Sequence, residues 1–114
     1  MSNSAQVLAE LMAVIEDRKK NPPARSYTTS LFAGGVEKIG AKILEEAQEV
    51  VEAASSVQTD QTQAHLTHEA ADLVYHLFVL MGFRGIKLED LAAEFANRFG
   101  ISGLDEKASR RSND

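Results

Sequence analysis

The sequence has no cysteine and no tryptophan, and only two prolines. The absence of cysteine excludes a disulfide framework, a thiolate zinc site and a thiol nucleophile, and it is compatible with a reducing cytosol. The scarcity of proline, together with many Ala, Leu, Glu and Lys residues, favours helix over strand. We therefore expect an all-α protein located in the cytoplasm.

Long apolar runs and an excess of positive charge are also missing. The longest apolar stretch, residues 73–81, contains His76 and is far too short to cross a bilayer. The first ten residues lack the charged start and apolar core of a signal peptide. The net charge of −5 argues against nucleic acid or an anionic membrane as partner. If the substrate is itself anionic, its binding site needs local positive charge, which a divalent metal ion usually provides.

Hydrophobic periodicity predicts four helices, at about residues 5–20, 36–55, 63–81 and 88–99. We expect an irregular stretch over 25–32, closed by Gly34-Gly35, and a C-terminal helix cap at Gly100. The 114 residues fit one domain, with a mobile tail predicted from about residue 105. Because so short a chain has a modest core, dimerisation is expected.

The predicted helix at 36–55 separates an apolar face from a charged one. The apolar positions, expected to face the core, are Val36, Ile39, Ile43, Ala47, Val50 and Ala54, with Leu44 and Val51 at the edge. The charged stripe contains Lys38, Lys42, Glu45, Glu49 and Glu52, with Glu46 at the border. Taken alone, this stripe is also typical of a solvated helix face with local ion pairs.

The predicted helix at 63–81 is apolar in nearly every direction, which is typical of a buried helix. Glu69 and Asp72 nevertheless stand on one face at its start, with His76 one turn further. Buried carboxylates are normally paired or bound to a metal. Lys38 and Lys42 are candidate partners, but they are outnumbered by five acids, Glu45, Glu46, Glu49, Glu69 and Asp72. Such a cluster of hard oxygen ligands predicts a magnesium or manganese site rather than a zinc site.

Several separated blocks of the sequence resemble the phosphoribosyl-ATP pyrophosphatase family, within the MazG-type all-α pyrophosphohydrolases. The first block is Ser26-Tyr27-Thr28 with Leu31-Phe32. The second is Gly35-x-x-Lys38-Ile39 followed by Lys42-x-x-Glu45-Glu46-x-x-Glu49. The third is Glu69-x-Ala71-Asp72-Leu73-x-Tyr75-His76-Leu77, and the last is the tail Ser102-Gly103-Leu104-x-Glu106-Lys107-Ala108-x-Arg110.

The resemblance implies a four-to-five-helix MazG-like bundle completed by dimerisation, with a homodimer as the functional form. The implied reaction is magnesium-dependent hydrolysis of a small-molecule nucleotide, phosphoribosyl-ATP, to phosphoribosyl-AMP and pyrophosphate in histidine biosynthesis. Lys38 and Lys42 would hold the polyphosphate, and either Glu46 or Glu49 would act as general base toward a water nucleophile. The implied metal ligands are Glu45, Glu46, Glu49, Glu69 and Asp72.

Several alternatives stay open at this stage. His76 either orients Asp72 through a hydrogen bond or is a satisfied core histidine, and Tyr27 either contacts the ribose or base or packs its loop. His65 and His68 are expected to be exposed or to act as local caps. The Phe95–Phe99 pair is expected in the core or a dimer contact. The alternative functions are a pyrophosphohydrolase of the same superfamily acting on (d)NTPs and a non-enzymatic helical interaction module.

Overall fold

Four α-helices and no strand make up the secondary structure of residues 3–100, which are the residues that the computed structural model of the protein describes. The helices are α1 (Ser4–Lys20), α2 (Tyr27–Ala54), α3 (Asp60–Phe83) and α4 (Leu88–Phe99). The prediction of an all-α fold is confirmed. Completion of the bundle by a second copy stays a prediction.

Short polar side chains start the first three helices. Asn3 accepts a hydrogen bond from the backbone N–H of Gln6 at 2.7 Å, and Thr59 forms a reciprocal capping box with Thr62. These caps satisfy N–H groups that have no partner within the helix. The Thr59 cap explains why α3 begins at Asp60, three residues before its predicted start. Gly100 caps the C-terminal end of α4, as predicted, and adopts the left-handed conformation.

The prediction of an irregular stretch over residues 25–32 is wrong, because α2 already begins at Tyr27. Ser26 caps this start, its hydroxyl accepting a hydrogen bond from the N–H of Thr29 at 3.2 Å. The predicted break at the glycine pair is present as a kink. Gly35 adopts φ 67° and ψ −161° inside α2, a conformation that is essentially restricted to glycine. The kink lets residues 27–34 leave the axis of the rest of α2 and pack against α3.

Helices α2 and α3 form an antiparallel hairpin, and α2 is rotated relative to the predicted orientation. Its buried positions are Ile39, Glu46 and Ala53, together with Thr28 and Leu31 in the first segment. Val36, Leu44 and Val51 remain 45%, 74% and 65% exposed. Of the expected apolar face, Ile39 is buried and only Val36 and Ala54 are exposed, so that face is partly covered. Glu46, at the border, and Glu49, in the charged stripe, are turned toward α3. This orientation places the acidic residues of both helices between them.

The hydrophobic core lies at the other end of the hairpin, where α1 crosses it. Its buried residues are Met12, Ile15, Leu31, Ile39, Phe78, Val79 and Met81. Ile15 approaches Gly82 so closely that a Cβ at Gly82 would lie 3.1 Å from its Cγ2 atom. Lys19 donates hydrogen bonds to the carbonyls of Gly82 and Phe83 at 3.0 and 2.9 Å. These bonds fix α1 to the C-terminal end of α3, where helix carbonyls lack partners.

Helix α4 is amphipathic but has no buried residue. Phe95 and Phe99 contact each other at 6.3 Å between ring centroids, yet they are 49% and 55% exposed, so this pair does not belong to the core of a single chain. Among the helices of the described range, none has the length and apolar character needed to cross a membrane. The tail motif and the tail predicted from about residue 105 lie outside the described residues.

We expect Gly35→Ala to lower the free energy of unfolding by about 1–3 kcal/mol, because a Cβ strains this backbone conformation. The nearest atom to that Cβ would be 3.7 Å away, on Phe83, so strain and not collision is the cause. Gly40→Ala is the matched control. No atom lies within 4 Å of a Cβ at Gly40, so this change should raise stability by up to about 1 kcal/mol. Urea unfolding measures both, and equal effects would contradict the proposed kink.

Candidate metal and nucleotide site

Three carboxylates meet between α2 and α3 in the half of the hairpin away from the core. Glu46 and Glu49 come from α2, one turn apart, and Glu69 faces them from α3. One oxygen of each carboxylate lies within 4.8 Å of the others. The i, i+3 spacing puts Glu46 and Glu49 on the same helix face, and the antiparallel pairing brings Glu69 opposite. We call these three residues the carboxylate cluster.

The carboxylate cluster is partly desolvated. Glu46 is 5% exposed and Glu69 is 9% exposed. One oxygen of Glu69, Oε2, is fully buried and has no hydrogen-bond partner in the described part of the chain. Burying a carboxylate oxygen without a partner costs free energy of folding, and a bound cation would compensate for this cost. The donor set fits a hard divalent ion, because carboxylate oxygens are the ligands that magnesium and manganese prefer.

Like-charge crowding shifts the acidity of two members of the cluster. Burial, followed by the neighbouring Glu49 carboxyl, raises the pKa of Glu46 above 4.5, and Lys42 only partly opposes this. The adjacent Glu69 carboxyl raises the pKa of Glu49 above the same value. Both shifts mean that the folded chain resists carrying all of these negative charges at once. A bound divalent cation would remove that resistance.

Asp72 lies beside Glu69 in a second group of possible ligands. This group contains Asp72, Glu69 and His68, again with ligand atoms within 4.8 Å of one another. His68 Nε2 is 3.5 Å from Asp72 Oδ2, and His65 Nδ1 is 3.9 Å from Glu69 Oε1. As expected, both side chains are exposed, His65 at 59% and His68 at 71%, yet they lie beside two predicted metal ligands. Their i, i+4 spacing to Glu69 and Asp72 was the signal that could have placed them at this edge.

The two predicted phosphate-binding lysines differ in position. Lys42 lies at the cluster, its Nζ atom 3.3 Å from Glu45 and 3.6 Å from Glu46. Burial lowers the pKa of Lys42, but the carboxylates outweigh it and the net shift is upward, which keeps the ammonium charged. Lys38 instead donates to the carbonyl of Ser30 at 3.3 Å. Its side chain passes directly over Gly34, where a Cβ would collide with it.

Glu45 and His76 have surroundings that the sequence predicted only in part. The Glu45 side chain is 54% exposed and pairs with Lys42, and it does not belong to either group of possible ligands. His76 is buried at 4% exposure. Its Nδ1 atom lies 2.8 Å from the main-chain carbonyl of Asp72, so the hydrogen bond between His76 and Asp72 involves the main chain of Asp72. Nδ1 is also 3.9 Å from Glu46 Oε1.

An open cleft of about 410 Å³ adjoins the carboxylate cluster at the end of the hairpin near the α2–α3 connection. The residues that line it are Glu49, Glu52, Ala53, Ser56, His65 and Glu69. The cleft gives solutes access to the cluster from solvent. The arrangement can therefore hold a hard cation on buried carboxylates while leaving one side open to a ligand of that cation.

Comparison with known proteins identifies the family of the chain. Residues 8–99 match the family model described as phosphoribosyl-ATP pyrophosphohydrolase. This match spans most of the chain and includes both halves of the acidic site. The chain belongs to the phosphoribosyl-ATP pyrophosphohydrolase family. The resemblance drawn from the sequence motifs is confirmed.

Proteins of this family align with the chain over nearly the whole length of both. A phosphoribosyl-ATP pyrophosphatase of Rhodopirellula baltica is 50% identical over 110 residues, which are 96% of this chain and 91% of that protein. The protein of the same name from Hydrogenovibrio crunogenus is 40% identical over 114 residues, 100% of this chain and 99% of its own. One from Rhizobium johnstonii is 45% identical over 105 residues, 92% of this chain and 94% of its own.

The raised pKa values of Glu46 and Glu49 predict how stability changes with pH. A folded state whose carboxyl pKa is raised binds more protons than the unfolded state, so this contribution to stability is lost as pH rises through the raised pKa. In the absence of divalent ions, Glu49→Gln should therefore have a higher Tm than the wild type. The difference should grow as the pH rises from the ordinary carboxyl pKa through the raised pKa of the folded state.

Glu10→Gln on α1 is the control for this experiment, since it removes the same charge from an exposed position outside the site. Thermal unfolding followed by circular dichroism, with and without magnesium, measures all three proteins. Magnesium should raise the Tm of the wild type and of Glu10→Gln more than that of Glu49→Gln. A Glu49→Gln protein less stable than the wild type at the higher pH without metal would contradict the proposed repulsion.

Proposed function

We propose that this protein hydrolyses phosphoribosyl-ATP to phosphoribosyl-AMP and pyrophosphate, in a magnesium-dependent step of histidine biosynthesis in the cytoplasm. The observation that carries this proposal is the convergence of three carboxylates around a buried, unpartnered oxygen of Glu69. The relatives named phosphoribosyl-ATP pyrophosphatase, which align over nearly the whole chain, support the choice of substrate.

The metal ligands we propose are Glu46, Glu49, Glu69 and Asp72, with Glu45 as a fifth candidate. A magnesium ion, or manganese in its place, would neutralise charge on the phosphate chain and on the cluster. Glu46 and Glu69 provide the buried part of this ligand set, and the half-buried Glu49 and Asp72 extend it toward solvent. His76 would help to position these ligands, because it hydrogen-bonds to the Asp72 main chain and lies next to Glu46.

The chain's own residues supply the remaining chemistry. Lys42 would bind phosphate oxygens as a point charge, and Lys38 would join it after leaving the Ser30 carbonyl. Glu46 or Glu49 would accept the proton of a water molecule whose oxygen attacks phosphorus. A new P–O bond forms as the phosphoanhydride P–O bond breaks, and the leaving phosphate takes the bonding electron pair. Pyrophosphate and phosphoribosyl-AMP are then released.

We also propose that the protein acts as a homodimer. On α2, Val36, Leu44 and Val51 form an exposed apolar strip on one helix face, and α4 buries no residue. Exposed apolar surface of this kind marks an interaction site. A second copy would cover the strip and complete the bundle.

Pyrophosphate release from phosphoribosyl-ATP, with and without magnesium, tests the function, with ATP and a dNTP panel beside it. We expect magnesium-dependent release from phosphoribosyl-ATP in preference to the other nucleotides. Glu46→Gln and Asp72→Asn should each lower kcat by about 10²–10⁴-fold, since each removes a charge from the site. Circular dichroism should show nearly unchanged helicity in both variants.

Glu10→Gln on α1 is the control, because it removes one charge from an exposed position on another helix. Full activity of Glu46→Gln and Asp72→Asn would contradict the assigned site. Release only from dNTPs would keep the site and change the substrate to a (d)NTP. No release from any nucleotide would favour a non-enzymatic helical interaction module.

The proposed dimer predicts that Leu44→Lys yields a monomer, because a charge would be buried in the apolar strip. Ala41→Lys introduces the same charge at an exposed position on the polar side of the same helix and should leave the dimer intact. Sedimentation velocity distinguishes the two states. A wild type that is monomeric at micromolar concentration, or a dimeric Leu44→Lys protein, would overturn the proposed interface.

A further inference from the structure

A hydrogen bond joins the start of α2 to the middle of α3 beside the carboxylate cluster. The Tyr27 hydroxyl lies 2.8 Å from Nε2 of His76. Thr28, the next residue, forms a second hydroxyl–hydroxyl bond with Tyr75. These two bonds attach residues 27–34, the segment before the Gly35 kink, to the helix that carries Glu69 and Asp72.

The surroundings of His76 fix which of its nitrogens carries the proton. Nδ1 lies 2.8 Å from the Asp72 main-chain carbonyl and 3.9 Å from a Glu46 carboxylate oxygen. Both groups are acceptors, so Nδ1 must be the N–H donor. In the neutral ring Nε2 is then the acceptor, and the Tyr27 O–H donates to it.

This direction determines what Tyr27 can offer to a ligand. Its only proton is used by His76, so the phenol oxygen can accept a hydrogen bond but cannot donate one. Phosphate oxygens at neutral pH are acceptors and therefore find no donor at Tyr27. Hydroxyl and amino groups are donors, and in a nucleotide they belong to the sugar and the base.

Tyr27 is also placed to meet a ligand. It is 51% exposed, and Lys42 is near enough for its charge to oppose the rise in the Tyr27 pKa that burial causes. Its ring is held by Tyr75, nearly parallel at 6.2 Å, and by His76, edge-on at 5.8 Å. Such packing keeps the phenol oxygen in one position before a ligand arrives, which lowers the cost of binding.

We propose that Tyr27, oriented by His76, accepts a hydrogen bond from a hydroxyl or amino group of the nucleoside part of the substrate. Lys42 and the carboxylate cluster serve the phosphate chain, and Tyr27 serves the nucleoside. His76 is then a positioning residue, which acts on the substrate through Tyr27. This inference rests on the proposed function, since it requires that the acidic site bind a nucleotide.

Steady-state kinetics of phosphoribosyl-ATP hydrolysis test the proposal with four variants. Tyr27→Phe removes only the phenol oxygen and should raise KM by about three- to tenfold with kcat within about twofold. His76→Asn keeps a donor near the Nδ1 position but loses the acceptor for Tyr27, and it should raise KM similarly. His76→Gln places an amide oxygen near the Nε2 position and should restore part of the loss. The double variant Tyr27→Phe/His76→Asn should be no worse in KM than Tyr27→Phe alone.

Inorganic tripolyphosphate, a phosphate chain without a nucleoside, is the control ligand. Its inhibition constant should be the same for the wild type and Tyr27→Phe. An unchanged KM in Tyr27→Phe, or an equal weakening of tripolyphosphate, would overturn the proposal. Additive losses in the double variant would overturn the positioning role of His76.

The ¹⁵N chemical shifts of His76 in the metal-free wild type supply a readout that needs no activity. We expect the Nδ1–H tautomer at a pH where the ring is neutral, and an Nε2–H tautomer would overturn the proposal. If the wild type fails to hydrolyse phosphoribosyl-ATP, the proposed function fails. The tautomer would then stand as a separate result, so the two failures are distinguishable.

Discussion

Mutual repulsion among the carboxylates crowded between α2 and α3 is the constraint on which this half of the molecule depends. Glu46, Glu49 and Glu69 are brought together between two helices, although burial and like charge raise the pKa of two of them. Lys42 is the lysine paired with this region in the described residues, and one ammonium group does not balance the cluster. A bound divalent cation would offset this repulsion.

The two ends of the α2–α3 hairpin have different roles, since one carries the hydrophobic core and the other carries the acidic site. At one end, α1 packs across the hairpin, and the Lys19 bonds to the last carbonyls of α3 hold it there. This apolar end supplies stability, so the other end can keep charged groups that oppose folding. Gly35 lies near Phe83 at the apolar end. Its kink turns the first segment of α2 back along α3, so that Tyr27 and Thr28 reach His76 and Tyr75.

Much of this molecule could be predicted from the order of its residues. Helical periodicity located all four helices, and spacing put Glu46 with Glu49 and Glu69 with Asp72 on shared faces. The prediction of the start of α2 failed because a helix cap outweighed the low helix propensity of the residues around it. Ser, Tyr and Thr at 26–28 looked irregular, yet the Ser26 cap starts a helix there. The helix wheel also predicted the wrong orientation for α2. A wheel shows which face is the most hydrophobic, but it does not show which face packs against a partner helix.

The sequence by itself determined the helical class, the family and the acidic residue types, because these follow from local periodicity and from motifs fixed along the chain. Only the tertiary structure decided that Glu46 is buried and Glu45 is exposed, that Lys38 bonds the Ser30 carbonyl, and that His76 bonds the main chain of Asp72 while accepting from Tyr27. These outcomes depend on how α2 is rotated against α3 and on the Gly35 kink. Contacts between residues 49 positions apart are set by packing, which no local pattern records.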